Sequence, residues 1–428
     1  MPEHDKNPYD NPKAAYYALG ILTVVYAFNF IDRQLLAILQ ESIKADLGLS
    51  DSQLGLLTGF AFAVFYVTAG IPIARWADHA NRRNIVAGSL FIWSFMTALS
   101  GLVQNYAQLV LARIGVGIGE AGGSPPSHSI ISDIFPPNRR ATALGFYSTG
   151  VSFGILFGFL FGGWLNEFFG WRVAFMVVGI PGVFLAGILM LTLREPTRGM
   201  IEQRTASTEA VPLGTVIKTL WGSKTFRHLS LAASLNAFSG YGTASWTASF
   251  MIRSHDMSTG ELGTWLAIII GLCGAIGVFF GGMAADRLSP RDQRWYMWLP
   301  AIVGFVAVPF MIAVYLADSP YFALTMMLIP GLLHQVYLGN TLATTHNLVG
   351  LKMRATSSAI LFFIINMIGL GCGPFLIGFL SDQLSASHGV DSLRLAMLYL
   401  LPAVMFWSAC HFYFASRHLR EDLAAAPD

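Results

Sequence analysis

The sequence predicts an all-α membrane protein: twelve transmembrane helices in two pseudo-symmetric six-helix bundles. Three observations carry that expectation. The chain has 428 residues, of which 54% are hydrophobic and 12% charged, with mean hydropathy +0.56; a soluble domain carries about 25% charged residues. Apolar runs long enough for a bilayer, which takes about 20 residues, recur along the whole chain between polar breaks. A short motif ending in aspartate and arginine recurs about half a chain length later.

In chain order the runs fall at 14–40, 54–77, 84–104, 106–134, 141–164, 171–193, 226–252, 260–285, 295–316, 320–347, 353–380 and 391–416. One longer polar stretch, from Arg194 to Lys224, divides them into two sets of six. The expected organisation is therefore a cytosolic tail over 1–13, an N-terminal bundle over 14–193, a cytosolic linker over 194–225, a C-terminal bundle over 226–416 and a cytosolic tail over 417–428. Within the linker, PLGTVIKTLW reads as a short interfacial helix. The first thirteen residues are polar and lack the apolar core and small-residue cleavage site of a signal peptide.

Lys and Arg placement orients the chain. With the N-terminus inside, the inner segments hold twenty of the 26 basic residues and the outer segments four, Arg33 and Arg113 lying within spans. Both termini are thus expected in the cytoplasm, and the helical spans place the protein in an inner (plasma) membrane. The net charge of +2 carries no basic stripe, so no nucleic-acid partner is expected. Cys273, Cys372 and Cys410 are well separated and odd in number, which argues against a disulfide framework, and no metal-ligand spacing occurs. No metal and no cofactor are expected. The 43 glycines suit helices that pack through small residues, and with short loops a monomer is expected to suffice.

The second run ends in Ala74-Arg-Trp-Ala-Asp78-His-Ala-Asn-Arg82-Arg83, and the eighth in Gly282-Met-Ala-Ala-Asp286-Arg287. The eleventh echoes the pattern with Gly378-Phe-Leu-Ser-Asp382, and the fifth with Gly163-Trp-Leu-Asn-Glu167. Recurrence in runs 2, 5, 8 and 11 implies a three-helix unit used four times, an arrangement that places substrate near the midplane. The loop after the second run resembles the signature of the major facilitator superfamily, with Ala74 and Asn81 standing where that family usually has glycine. Asp78, Arg82, Arg83, Asp286 and Arg287 are accordingly expected at the gates, as helix caps or ion-pair partners. Within the superfamily, Asn29-Phe-Ile-Asp32-Arg33 and Gly119-Glu120-Ala121 resemble the spinster family, whose animal members carry sphingolipid phosphates and lysophospholipids. The same pattern also resembles the anion:cation symporters, which move sugar acids and other organic anions with protons.

The charges themselves point the same way. Asp32 and Arg33 lie deep in the apolar run AYYALGILTVVYAFNFIDRQLLAIL (15–39), where a charge costs at least ~2.5–3.5 kcal/mol and marks a substrate or ion path. Arg113 and Glu120 are seven apart in the fourth run, so on a helix they face one way, about 10 Å apart. Asp32 and Arg33 diverge by about 100°, so one is expected to face the fourth run and the other a central cavity. Asp32 and Glu120 are read as the proton-coupling groups, Arg33 as the holder of an anionic head, and Arg113 as a state-dependent partner of either carboxylate. Tyr26, Asn29, Trp246, His334, Asn340 and Asn366 complete the candidate substrate lining. Gly150, Gly154, Gly158 and Gly162 make a stripe for close helix crossing. The expected function is proton-coupled secondary transport of a small amphipathic or lipid-like anion by alternating access, with the lipid bilayer and protons as partners. The alternative is a proton-driven symporter of a small organic or sugar-acid anion. A membrane-embedded lipid-modifying enzyme is disfavoured, because no nucleophile elbow, HExxH or Walker loop occurs; no enzyme is expected.

Overall fold

The computed structural model describes residues 9, 11–198, 211–350 and 353–427, with the side chains of Asp78, Pro137, Ala141 and Ala355 left aside. Most of the N-terminal tail and the linker peptide EQRTASTEA lie outside the described residues. The described chain is helical nearly throughout, and each of the twelve expected runs falls on helix. Among the described residues, seven helical stretches are long and apolar enough to cross a membrane.

The helices are α1 (Pro12–Leu47), α2 (Asp51–Thr58), α3 (Phe60–His79), α4 (Arg82–Ser100), α5 (Tyr106–Glu120), α6 (Ser124–Ile134) and α7 (Pro137–Thr192), then α8 (Leu213–Gly222), α9 (Lys224–His255) and α10 (Thr259–Leu266). There follow α11 (Cys273–Leu288), α12 (Trp295–Leu316), α13 (Pro320–Leu333), α14 (Tyr337–Asn347), α15 (Arg354–Ile365), α16 (Gly373–His388) and α17 (Ser392–Ala424). Local chemistry sets many of their ends. Asn11, Asn105 and Ser258 accept hydrogen bonds from the first-turn backbone of α1, α5 and α10, satisfying donors that a helix start leaves open. Ser50 and Gln53 form a reciprocal capping box at α2. Asn81, which replaces a glycine of the resembled signature, caps α4 by accepting from the Asn84 backbone.

Two details differ from the reading of the runs. The fourth run breaks into α5 and α6 over residues 121–123, just ahead of Pro125 and Pro126, since prolines suit the first turn of a new helix. The fifth and sixth runs join in α7 across a single residue, Gly170, whose φ of 80° is open to glycine and strained for other residues. The short helix expected in PLGTVIKTLW is α8, which sinks Val216 and Leu220 into a core with Phe226, Leu229, Met297 and Phe412.

The chain packs as two compact units, residues 1–48 with 61–207, and residues 49–60 with 208–428. In the first unit the glycine stripe of α7 lies against α1. A Cβ on Gly154 would stand 2.5 Å from the Ala27 carbonyl oxygen and the Phe30 Cβ, and one on Gly150 would stand 2.7 Å from the Thr23 carbonyl oxygen. A Cβ on Gly119 would likewise stand 2.7 Å from the Trp93 backbone nitrogen. The loop signature is anchored by Arg82, which is buried and donates to Glu195 (2.7 Å), Ser129 (2.7 Å), Asp133 and the Pro196 carbonyl (3.0 Å). The Arg83 backbone N–H donates to the second Glu195 oxygen at 2.8 Å. Sequence reasoning named the arginines but missed Asp133, near the end of α6, and Glu195, just past α7, which come together through folding.

In the second unit, α2 is held against α16 by charge and close approach. Asp51 accepts two 2.7 Å hydrogen bonds from Arg253 and one of 2.6 Å from Ser381. Asp382 accepts from the backbone N–H groups of Asp51 (3.0 Å) and Ser52 (2.7 Å), so a carboxylate sits at the α2 start, where the helix dipole favours it. The Gly378 noted in the repeat leaves room for the Asp51 backbone and the Trp246 ring. Asp286 and Arg287 are exposed and make no ion pair among the described residues. Charge pairing in this copy of the loop falls to Asp292, which accepts from Arg294 (2.8 Å) and Arg420 (2.8 Å).

Replacing Gly154 with leucine drives side-chain atoms into α1 and is expected to cost at least ~1–3 kcal/mol, read as a fall in the unfolding midpoint of the detergent-solubilised protein; Gly145→Leu, where nothing lies within 4 Å, is the matched control. Hydrogen bonding from Arg294 holds the Asp292 carboxyl down at about 2. Because that lies below the ordinary value of about 3.9, the pair contributes stability above pH ~4 that fades as pH falls toward 2. Asp292→Asn should flatten that acid limb of the melting profile relative to the unsubstituted protein.

Candidate functional site

The first unit carries the charges of its apolar runs on two helices. α1 brings Asp32 and Arg33 and α5 brings Arg113 and Glu120, all within apolar sequence. Asp32, Arg113 and Glu120 are 1%, 2% and 1% exposed, depths at which a charge needs a partner. Glu120 has one: Arg33 donates from Nε to Oε2 at 2.8 Å. The seven-residue spacing on α5 does put Arg113 and Glu120 on one buried face.

The expectation that Asp32 and Arg33 part ways, one to each side, is not what α1 does. The Arg33 side chain reaches Glu120, and Asp32 lies within electrostatic range of Glu120, Arg113 and Arg33. The long stem of arginine spans the divergence that neighbouring positions impose. Arg33, rather than Arg113, is thus the partner of Glu120. Both Asp32 carboxylate oxygens, Glu120 Oε1, and Arg113 Nε and Nη1 are buried with no hydrogen-bond partner among the described residues. The Thr97 hydroxyl faces Asp32 outside hydrogen-bonding geometry. Asn29 is buried on α1 beside Glu120.

Aromatic rings surround the guanidinium of Arg33. Its carbon stands 5.0 Å from the Phe30 ring centroid, 4.8 Å from Phe62 and 4.9 Å from Tyr66, a set that holds a cation by its π faces while leaving donors for an anion. Tyr26 stacks on the buried Tyr147 with centroids 4.5 Å apart and planes 3° from parallel, and His128 meets Tyr147 edge-on. Phe62, Tyr66 and Tyr147 were not foreseen as site residues; α3 and α7 bring them in, and aromatic residues are too common in apolar runs to signal this by sequence. A separate apolar cavity of about 680 Å³ lies along α1 and α7, lined among others by Ala27, Phe28, Ile31, Phe153, Phe157 and Phe161.

The second unit's candidates are differently placed. Trp246 is fully buried and donates to the Pro374 carbonyl at 2.8 Å. Asn340 and Asn366 bond back to their own helices through the Val336 and Phe362 carbonyls. His334 sits against Gly240, where no Cβ intrudes, with Nε2 3.0 Å from the Asn236 carbonyl oxygen. The structure therefore gathers Asp32, Arg33, Arg113, Glu120 and Asn29 into one polar centre, and commits Trp246, Asn340, Asn366 and His334 to backbone partners in the other unit. Among the described residues no group of three or more His, Cys, Asp or Glu is arranged to hold a metal ion.

The profile of the Major Facilitator Superfamily matches residues 22–369. An MFS-type efflux pump of Mycolicibacterium smegmatis is 32% identical over 418 residues, covering 96% of this chain and 95% of its own. The sphingosine-1-phosphate transporter SPNS2 of Xenopus tropicalis is 27% identical over 403 residues, covering 90% of this chain and 77% of its own. Among solved structures, an inward-facing, unoccupied bacterial homologue of the human lysosomal transporter Spinster is similar with 33% identity and a TM-score of 0.83, covering 97% of this chain and 99% of that one.

Removing one member of the ion pair strands the other in a dry site. Arg33→Gln is expected to destabilise by on the order of 3 kcal/mol, the low end for a broken buried pair because Arg33 keeps 14% exposure. The double variant Arg33→Gln/Glu120→Gln should recover much of that loss in thermal unfolding of the purified protein.

Proposed function

The chain belongs to the Major Facilitator Superfamily and resembles its spinster family; from that membership we propose that it is a proton-coupled secondary transporter moving a small amphipathic, lipid-like anion by alternating access through twelve spans. The superfamily makes it a multi-pass membrane transporter of small molecules. The observation that carries the finer reading is the shared use of Arg33, held by Glu120 at 2.8 Å and enclosed by three aromatic rings.

The chemistry follows from charge balance. With both carboxylates ionised, Asp32 and Glu120 offset Arg33 and Arg113, and the centre is neutral as a whole. An anion on the remaining Arg33 donors competes with the Glu120 carboxylate for the one guanidinium charge, and a buried carboxylate that loses its partner costs several kcal/mol. A proton taken up by Glu120 removes that charge and frees the guanidinium. Proton and anion then enter together at no net change of charge, each favouring the other, and the coupling is reciprocal. Asp32 completes the device. Its oxygens have no hydrogen-bond partner among the described residues, so its charge is stabilised by Arg113 and Arg33 and responds to any shift of either.

The aromatic set around Arg33 suits a substrate that brings apolar surface along with its charge, and the guanidinium fork suits carboxylate or phosphate. Relatives carrying sphingosine-1-phosphate and relatives carrying sugar acids are alike at 27% identity, so the preference for a lipid-like anion rests on the aromatic rings around Arg33.

The test is uptake into proteoliposomes, with and without an imposed pH gradient, from a panel of lysophospholipids, long-chain phosphates and sugar acids. Saturable, gradient-driven uptake is expected for an anion carrying an apolar chain. Asp32→Asn and Glu120→Gln should each reduce the gradient's effect by on the order of 5–150-fold, the usual span of a coupling free energy. Gradient dependence that survives intact in both variants would overturn the assignment of protons to these carboxylates, and uptake confined to sugar acids would overturn the substrate class.

A further inference from the structure

Where the start of α9 meets the end of α17, a cavity of about 320 Å³ is lined by Lys224, Arg227, His228, Leu231 and His411. We propose that it is a binding site for a phosphate group carried on an anionic lipid headgroup. It belongs to the second unit and includes none of the groups assigned to transport, so it stands or falls apart from that reading.

Its charge is strongly one-sided. Lys224 and Arg227 are exposed and make no ion pair among the described residues. His228 and His411 approach with their Nδ1 atoms 2.9 Å apart, one donating to the other, and neither Nε2 has a hydrogen-bond partner among the described residues. A third imidazole, His418, lies parallel to His228 at 6.1 Å between centroids. The carboxylates nearby are already engaged. Asp422 accepts from Ser223 Oγ (2.7 Å) and from the Thr225 backbone N–H (2.6 Å), capping α9, and Asp292 holds Arg294 and Arg420. Two strong cations and two imidazoles thus line a hollow large enough for a phosphate group, with the His418 ring stacked beside it.

The surroundings say why the phosphate comes on a lipid. Trp407 and Phe414, 52% and 41% exposed, flank the imidazoles, with Trp407 5.8 Å from His411 and Phe414 5.8 Å from His228. Tryptophan is enriched at the level of headgroups, where its ring faces the chains and its N–H the water, and Phe414 adds apolar surface beside it. By the distribution of Lys and Arg this end of α9 and α17 is the cytoplasmic one. Basic pockets between transmembrane helices on that side bind lipid head groups, each Lys or Arg near the surface adding about 1 kcal/mol. The cluster also explains three histidines gathered within one small volume, which neither packing nor the transport reading uses.

The experiment is native mass spectrometry of the full-length protein in detergent, titrated with phosphatidylglycerol, with phosphatidylcholine and, in a separate arm, with inorganic phosphate. Phosphatidylglycerol should be retained over phosphatidylcholine, and Lys224→Gln/Arg227→Gln should weaken that retention by roughly tenfold or more, as should His411→Phe, which keeps a ring for packing and removes the nitrogens. Arg291→Gln, an exposed charge at the same end, should leave it unchanged, and the unfolding midpoint of each variant without lipid separates lost binding from lost fold. Binding of inorganic phosphate that is as sensitive to the same variants supports the site and assigns it to a soluble phosphate. Equal retention of both lipids with no phosphate binding, or phosphatidylglycerol retention unaltered in folded Lys224→Gln/Arg227→Gln, overturns the proposal.

Discussion

Two carboxylates and two arginines lie inside a bundle whose walls are otherwise apolar, and one hydrogen-bonded contact, Arg33 to Glu120, keeps that burial tolerable. A carboxylate at that depth has no water to turn to, so its partner determines whether it is charged, where its helix sits and what else can bind. The arrangement is neutral only as a set. Any event that changes one member, whether a proton, an anion or a shift of a helix, changes the energy of the other three. That shared dependence makes the centre suited to coupling two ligands.

The contact is possible because the backbones around it come close. Gly117 and Gly119 on α5 leave no side chain between that helix and its neighbours, the first lying against Phe62 and the second against Trp93. The α7 glycines do the same against α1, from Gly150 to Gly162. In lipid, helices gain little from burying apolar surface against one another, so van der Waals contact at short range has to hold them. Small residues thus set how closely α5 packs on α3 and α4, and α7 on α1, the helices that frame the charged positions.

The two units use polarity differently. The first concentrates ionisable groups in its interior and again around Arg82, where Ser129, Asp133 and Glu195 converge. The second places its ion pairs near helix ends, through Asp51 with Arg253 and Asp292 with Arg294 and Arg420, and fills its interior with hydroxyl, amide and imidazole groups that bond to backbone carbonyls. The loop repeat shared by the two halves has diverged accordingly: Arg82 is buried among acceptors, while the matching position four residues past the second aspartate is Pro290.

Amino-acid order alone was enough to establish that the chain is helical and membrane-spanning, because hydropathy and the scarcity of charge act residue by residue and need no partner. It also singled out Asp32, Arg33, Arg113 and Glu120, since a charge in an apolar run is costly wherever it folds, and the α7 stripe, since a four-residue period on a helix is geometry. Pairing was a different matter. That Arg33 reaches Glu120, that Asp133 and Glu195 close on Arg82, that Asp382 caps α2 and that three histidines from α9 and α17 meet beside Lys224 and Arg227 all depend on which helix faces which. Those contacts join residues from tens to hundreds of positions apart, and their energies depend on distances of a few ångströms that only the packed tertiary structure sets.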